Sequence, residues 1–461
     1  MNKLPMPDAI TPKPSAGSRR LTARGLVCKI LTEAETGQAY LDQILEKHLS
    51  RTRLPERDKA LVTAIANGVT RRRSRLDAEL SQHFQKNFTG ARPLLKNILR
   101  SALFQLRYLD RVPSYAVVNE AVSLARAQFG EGLARLCNAV LRSALREPYD
   151  WPAPERLLAA DDFQRLAQAL SYPEWLLRRW HELYGSAEML ALAEVFNQIP
   201  ELTIRLVRPE LHREIVLAEL GAASVQARAI DGLPHFYHVP SQHHIAALES
   251  FKAGAFTMQD ASAGLVAHLA APAPGETIID LCAAPGGKAL HLAELAPNAR
   301  VIAVDQSPKR LRLVQEAAQR LHCEIELIAA DARTFSGPAA DLVLVDAPCS
   351  GLGVLGKRSD LRWRRRPEDI PQLVALQKEI LQNAATLLKP GGRLIYSTCT
   401  TEPAENQGVV TWFLEQYPNF YLQPAQQFIP ARFCDAAGFV ATFPHRHGVD
   451  GSFAAHLKKL S

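Results

Sequence analysis

The sequence predicts an α/β protein: a doubly wound parallel sheet in the C-terminal half, preceded by an all-α bundle and a small α+β connector. Three observations carry the prediction. Five short apolar runs between Thr277 and Cys399 each end on an acid or a cysteine. Helical patterns, such as Lys309 to Leu321, separate most of them, which argues for parallel strands buried on both faces. The first third of the chain repeats its apolar residues at helix spacing throughout.

Taken in order, residues 1–18 read as a disordered tail. The tail carries Pro, Lys and Arg without an apolar core, so it is neither signal peptide nor membrane anchor. Residues 19–148 form the all-α domain. Leu94, Leu95, Ile98, Leu99, Ala102, Leu103 and Leu106 share one helix face, with Arg100 and Arg107 between them. Breaks such as Pro55 and Asp110 to Pro113 are short, as in a compact bundle. Arg71, Arg72 and Arg73, with Arg75, make its densest positive run. Such a run serves equally as a solvated helix face or as a contact for nucleic-acid phosphates.

Residues 149–250 form the connector and the small α+β subdomain. Pro148 to Pro154 marks the boundary, Ser171 to Trp180 reads as an amphipathic helix, and Leu202 to Val207 as a strand. Residues 251–461 form the main domain. Its five runs end at Asp280, Asp305, Asp331, Asp346 and Cys399, and Phe439 to Phe443 with Ser452 to Leu457 make a final strand pair. Parallel strands collect those endings at one edge, where ligands bind in such folds. After the first strand, Cys282, Ala283, Ala284, Pro285, Gly286, Gly287 and Lys288 form a small-residue loop leading into a helix. Small residues let a ligand approach the backbone, and the helix start offers free amides. The loop is neither G-x-G-x-x-G nor a Walker loop, which disfavours a dinucleotide or a nucleoside triphosphate.

With 461 residues the chain holds two or three domains. Its 54 Lys+Arg against 47 Asp+Glu give +7, so a basic surface must lie away from the acidic strand ends and suits a polyanion. Seven scattered cysteines, without a C-x-x-C pair, indicate neither a zinc site nor a disulfide framework, so no metal is expected. No apolar run is long enough to span a membrane. A reducing, cytoplasmic location and a monomer are expected.

The chemistry lies in the cysteines. Cys28, Cys137, Cys323 and Cys434 read as small buried hydrophobes, and Cys282 as a small loop residue. Cys349, in Asp346-Ala-Pro-Cys-Ser-Gly351, and Cys399, in Ser397-Thr-Cys399, fall in turns at the ligand edge. A thiolate there adds to electron-poor carbons such as C6 of a pyrimidine. Attack at C6 makes C5 nucleophilic toward the methyl of a sulfonium, and Asp346 is placed to hold the N3/N4 edge of the base. Gly351 to Ile370 is a long insertion with Lys357, Arg358, Arg362, Trp363, Arg364, Arg365 and Arg366. Basic residues around an aromatic ring suit single-stranded RNA, although an exposed loop over a buried Trp would read the same way. A base reaching Cys399 must leave its stack.

Arg24, Glu56-Arg-Asp58 and Val118-Asn-Glu-Ala-Val122 in the helical segment resemble the NusB-like RNA-binding fold. Asp280 to Lys288, Asp346 to Gly351, and Ser397 to Cys399 followed by Pro403, Glu405 and Asn406 look like the RNA cytosine-C5 methyltransferases. Together, over roughly residues 20–461, the chain resembles the RsmB (Sun/Fmu) family of bacterial 16S ribosomal RNA enzymes. The resemblance implies a Rossmann-like class I methyltransferase domain. It also implies S-adenosyl-L-methionine held by Cys282 to Lys288, Asp305 (ribose), Asp331 (adenine) and Asp346. Cys399 is then the nucleophile and Cys349 the group that helps release product, with Asp346 and Lys288 beside them. The partner is 16S ribosomal RNA, with Arg71, Arg72, Arg73, Lys357, Arg358, Arg362, Trp363 and Arg364 as its contacts. Thr400 stands where a serine is usual, and Leu206-Val207 replaces a small residue plus Asn. An RNA-binding protein on an inactive scaffold is the alternative, against which the intact cysteine pair speaks. The loop pattern disfavours an NAD-dependent oxidoreductase.

Overall fold

A computed structural model describes residues 22–85, 87–110, 112–240 and 245–461. The expected tail, residues 1–18, lies outside them. The chain divides into two compact units between Asp150 and Trp151.

The first unit is helical: Ala23–Thr36, Leu41–Leu49, Glu56–Arg71, Arg73–His83, Pro93–Tyr108, Ser114–Phe129 and Glu131–Arg146. Thr22 Oγ1 caps the first helix by accepting from the Gly25 amide at 3.1 Å, and Pro93 opens the fifth. Val27, Ile65, Leu80, Leu99, Leu103 and Leu141 fill one core. The helix Pro93–Tyr108 lies so close to Glu56–Arg71 that a Cβ on Gly68 would stand 2.0 Å from the Phe104 ring. Arg100 is buried yet answered, donating to Asp77 Oδ1 at 2.5 Å and Glu35 Oε2 at 2.9 Å. That accounts for an arginine interrupting an apolar stripe.

The second unit opens with helices Pro154–Ala159, Phe163–Leu170 and Glu174–Val195. The last begins after Pro173 and breaks at Gly185, whose φ is +80°. Four strands follow: β1 (Leu202–Leu206), β2 (Arg228–Ile230), β3 (Leu233–Val239) and β4 (Phe256–Met258). They pair antiparallel in the order β2-β3-β1-β4. Ile204, Leu206, Tyr237 and Phe256 bury one face against Val216 and Leu220 of the helix Pro209–Ala222. β4 lies beyond the boundary expected at residue 250, because its pairing with β1 carries the small sheet up to the entry of the main domain.

The large sheet holds β5 (Thr277–Asp280), β6 (Arg300–Asp305), β7 (Glu326–Ala329), β8 (Ala340–Asp346), β9 (Leu388–Thr398), β10 (Phe420–Gln423), β11 (Val440–Thr442) and β12 (Ser452–Lys459). Their order is β10-β12-β9-β8-β5-β6-β7, with β11 also on β12. β5 to β9 are parallel, as expected, and β12 runs antiparallel to β9, β10 and β11. Alternation sends Ile278, Leu342, Leu344 and Ile395 to the face under the helix Ala261–Ala270. Ile279, Ile302, Val343 and Val345 face the helix Asp369–Leu387 instead. The chain direction across the sheet switches between β5 and β8, where a doubly wound fold opens its binding crevice.

Candidate active site

The crevice is built from the ends of β5, β6, β8 and β9. Asp280 ends β5 fully buried, and its Oδ1 accepts from the Cys282 amide at 3.3 Å. The loop turns at Gly286, with φ +105°, where a Cβ would meet Val314 Cγ1 at 3.0 Å, and enters the helix Gly287–Leu295. Asp305 ends β6. Its Oδ1 accepts from the Ser307 amide at 2.9 Å, and its Oδ2 from the Ala284 amide at 3.3 Å and Arg310 Nη1 at 3.1 Å. One carboxylate therefore ties the loop after β5 to the loop after β6. Asp331 lies two residues past β7, and Ala330 N donates to Asp305 O, which keeps it at the same edge. Its carboxylate is clasped by Arg333, which holds it down at about 2.

At the ends of β8 and β9 the two thiols meet, with Cys349 Sγ 3.3 Å from Cys399 Sγ. Beside them Lys288 Nζ donates to Asp346 Oδ2 at 2.7 Å, and Ser397 Oγ donates to Asp346 Oδ1 at 2.8 Å. The structure thus brings together Cys349, Cys399, Asp346 and Lys288 from three separate segments. The thiols are not equivalent. The hydrogen bond from Cys349 is the largest influence on Cys399 and lowers it below the ordinary thiol range. Burial and Asp346 oppose that shift, and Lys288 adds to it. The same bond, with burial, pushes Cys349 up. Burial also raises Cys282, in keeping with an inert loop residue. Burial works against the charge of Lys288, but Asp346 holds it above its usual value.

Residues beyond the sequence-level candidates fix these turns. Arg365 Nε donates to Ser350 O at 2.8 Å and its Nη2 to Cys349 O at 3.1 Å. Gln377 Nε2 donates to Pro348 O and to Glu405 Oε2, each at 2.9 Å, and Glu405 Oε2 also accepts from the Ser350 amide at 2.9 Å. Ser350 Oγ and Thr400 Oγ1 share a 2.7 Å bond, so the threonine at 400 still links the two cysteine loops. Asn406 Nδ2 donates to Thr400 O at 2.9 Å. Glu402 is clasped by Arg179, and Tyr184 OH donates to Thr401 O. Sequence spacing gave no signal for Arg179 or Gln377, which sit 223 and 28 residues from their partners. Arg365 stood inside a noticed basic run, with nothing to single it out.

The RNA-contact expectations are corrected at three positions. Arg362 is fully buried, donating to Asn197 Oδ1 at 2.8 Å and to the carbonyls of Ser171, Phe196 and Leu355, with its guanidinium 4.1 Å from the Tyr172 ring centre. A charge in that cage cannot meet phosphate. Lys357 is held by Asp260 and by Asp450, at 2.9 Å from the latter, and both carboxylates neutralise it inside the fold. Arg71 is buried at 6% exposure on the inner side of its helix. Arg72 lies 5.5 Å from the Tyr108 ring centre, Arg73 pairs with Glu35 at 3.5 Å, and Arg364 pairs with Asp360 at 3.3 Å. Arg358 and Trp363 are half-buried, and Arg366 is exposed. Among the described residues no group of His, Cys, Asp or Glu is arranged to hold a metal ion. No helix of the described residues is long and apolar enough to cross a membrane.

The sheet order, the loop after β5 and the edge where the two cysteines meet define a class: a Rossmann-like methyltransferase fold behind a NusB-like helical region. Residues 267–458 match the family model of 16S rRNA methyltransferase RsmB/F, residues 21–146 the NusB family, and residues 172–240 the RsmF/B-like ferredoxin-like domain. The probable ribosomal RNA small subunit methyltransferase B of Synechocystis is 35% identical, over 95% of this chain and 100% of that one. Its counterpart in Bacillus subtilis is 31% identical, over 96% and 99%. The crystal structure of PH0851 superposes with a TM-score of 0.79 at 25% identity, over 95% of this chain and 99% of that one. NSun6 from Pyrococcus horikoshii shares the fold, with a TM-score of 0.57 at 23% identity, over 63% and 98%. The chain belongs to the ribosomal RNA small subunit methyltransferase B family.

Proposed function

We propose that this protein transfers a methyl group from S-adenosylmethionine to C5 of a cytosine in 16S ribosomal RNA, through a covalent bond between Cys399 and C6. The observation that carries the reading is the pair of thiols 3.3 Å apart, beside the Lys288–Asp346 ion pair. The loop residues fit the cofactor. Asp280 Oδ2 is buried without a hydrogen-bond partner, and burial lifts that carboxyl to about 7. It lacks the donor or cation that an amino-acid ammonium or a sulfonium would supply. Cys282 to Lys288 and Asp305 would hold the cofactor, with Asp331 toward its base. Bound there, S-adenosylmethionine supplies the electrophilic methyl group.

The chain's own residues do the rest. Cys399, lowered by the Cys349 hydrogen bond and the Lys288 charge, is the thiol that ionises first. Its sulfur attacks C6, and the electron pair moves to C5, which takes the methyl. Asp346 is partly exposed and accepts on one oxygen from Lys288 and on the other from Ser397, leaving lone pairs for the N3/N4 edge. Release requires loss of the C5 proton and departure of the Cys399 sulfur from C6. The C5 proton passes to solvent, and its bonding pair re-forms the C5–C6 double bond as the S–C6 bond breaks. Cys349, within hydrogen-bond reach of the leaving sulfur, donates its thiol proton to it.

The two cysteines therefore fail differently. Cys399→Ala abolishes methylation and any covalent complex. Cys349→Ala still attacks and methylates but stalls as a protein–RNA adduct, seen as a slow band on a denaturing gel. Loss of the Cys349 donor also raises Cys399, so the adduct forms more slowly than attack in the wild type. Tritiated methyl transfer to unmodified 16S RNA supplies the activity measure. If neither variant traps RNA and both methylate normally, the covalent route is wrong.

A further inference from the structure

Lys357, read from sequence as a phosphate contact, sits in a half-buried triad that the reaction does not touch. Its ammonium bridges Asp260 Oδ2 and Asp450 Oδ2, the latter at 2.9 Å. Asp260 caps the helix Ala261–Ala270, its Oδ1 accepting from the Ser262 amide at 2.8 Å and from the Asp450 amide at 3.2 Å. Asp450 precedes Gly451, whose amide donates to Gly353 O at 2.8 Å, and the Gly353 amide donates to Cys399 O at 3.1 Å. These backbones are pressed together. A Cβ on Gly353 would stand 2.0 Å from Gly451 O and 2.9 Å from Cys399 O. An unbroken chain of contacts thus runs from the Lys357 ammonium to the backbone of Cys399.

We infer that Lys357 is a positioning residue for Cys399: it offsets the charges of Asp260 and Asp450 and fixes the Asp450–Gly451 turn, which holds Gly353, whose amide binds the Cys399 carbonyl. Electrostatics agree. Asp450 raises Cys399, and burial together with Asp260 lifts Asp450 itself to about 7, against the pull of Lys357. The groups that act on the Cys399 thiol are Cys349, Asp346 from β8, Lys288 from the helix Gly287–Leu295, and Asp450 from the turn before β12. Glu405 acts on Cys349. Without Lys357 the lost cation is only partly offset by a proton taken up on Asp450, and the thiolate loses stabilisation.

This inference rests on the reading of Cys399 as the attacking thiol, and its test needs neither RNA nor methyl donor. Iodoacetamide alkylation of the full-length protein is followed by mass on the Cys399 peptide as a function of pH. Lys357→Met moves the midpoint up and slows alkylation at pH 7 about threefold or more. Asp450→Asn moves it down. Lys357→Arg, which keeps the charge, stays near wild type, and Lys357→Met with Asp450→Asn returns toward it. A role in folding alone would change thermal melts without moving the two midpoints in opposite directions. Should Lys357→Met fail to fold, Asp450→Asn decides: a midpoint that stays or rises overturns the inference. A protein that titrates as expected yet transfers no methyl keeps the inference and sinks the cytosine reading instead.

Discussion

Replacing Arg362 by Met separates a structural role from the RNA contact that its sequence context suggests. The guanidinium donates four hydrogen bonds, of 2.8, 3.2, 3.2 and 3.4 Å, to one amide oxygen and three carbonyls, all within the second unit. Hydrogen bonds to a charged group contribute about 1.5–3 kcal/mol each, and the longer ones less. The side chain is fully buried, so water does not replace the lost donors. Counting the Asn197 bond in full and the carbonyl bonds in part gives a loss of about 3–5 kcal/mol. For a domain of this size that lowers Tm by roughly 6–15 °C. Lysine does not rescue, because one ammonium cannot reach a planar set of four acceptors. Calorimetry on the full chain reads the second unit's transition. RNA affinity is measured across salt concentrations below that transition, and its slope stays at the wild-type value. A wild-type Tm with a shallower salt slope would refute the argument and return Arg362 to the RNA surface.

Three further outcomes are expected. Asp305→Ala unties the two loops it bridges and weakens S-adenosylmethionine binding about tenfold or more, while RNA affinity stays; unchanged affinity by titration calorimetry contradicts its role. Removing residues 1–150 weakens RNA binding and leaves the second unit's melting transition in place, since the chain divides at Asp150; unchanged RNA affinity at every salt concentration counts against the helical unit as an RNA contact. His456 is fully buried, its Nδ1 2.9 Å from Leu269 O, and burial lowers it to about 4 despite that carbonyl. Its folded pKa lies below the unfolded value of about 6.5, so the stability it contributes is present above pH ~6.5 and is lost as pH falls toward about 4. The loss is on the order of 3 kcal/mol, and a His456→Gln chain that melts with the same acid dependence as wild type removes this assignment.

Period and punctuation made the large sheet legible. Runs such as Arg300–Asp305 are too short and too β-branched to be helices, and each ends where the chain must turn toward the ligand edge. The cysteines at 349 and 399 were readable for the same reason, being placed just past strand ends. What was not readable is direction. Lys357, Arg358, Arg362, Arg364 and Arg365 lie within nine residues, and sequence alone reads them as one basic patch. In the fold Lys357 turns to Asp260 and Arg362 to a cage of carbonyls, partners on distant segments, while Arg365 turns back to the Cys349 turn at the start of the same insertion. β10 is not legible because Phe420–Gln423 ends on no acid or cysteine at the ligand edge and gains its identity only by pairing with β12. The Asp331 run was drawn two residues too long, since Asp331 turns out of the strand to meet Arg333.

The same logic explains why the small sheet and its connector helix share one unit with the catalytic sheet. Arg205 of β1 is buried, donates to Gln259 Oε1 at 2.6 Å and pairs with Glu294 of the helix Gly287–Leu295. Gln259 Nε2 in turn donates to Gly287 O at 3.0 Å, at the first turn of that helix. The amides that face the crevice are therefore aimed partly by a strand from another sheet. Arg179 and Tyr184 of the helix Glu174–Val195 hold Glu402 and Thr401, just beyond Cys399. Tyr184 is the last residue before the helix breaks at Gly185, so the break sets where its hydroxyl reaches. A subdomain with no reacting group thus grips both the loop after β5 and the loop after β9. Strand ends alone place these loops to within a turn. Arg205 and Arg179 supply the remaining constraint, which matters because displacing a reacting atom by about 1 Å can cost about a hundredfold in rate.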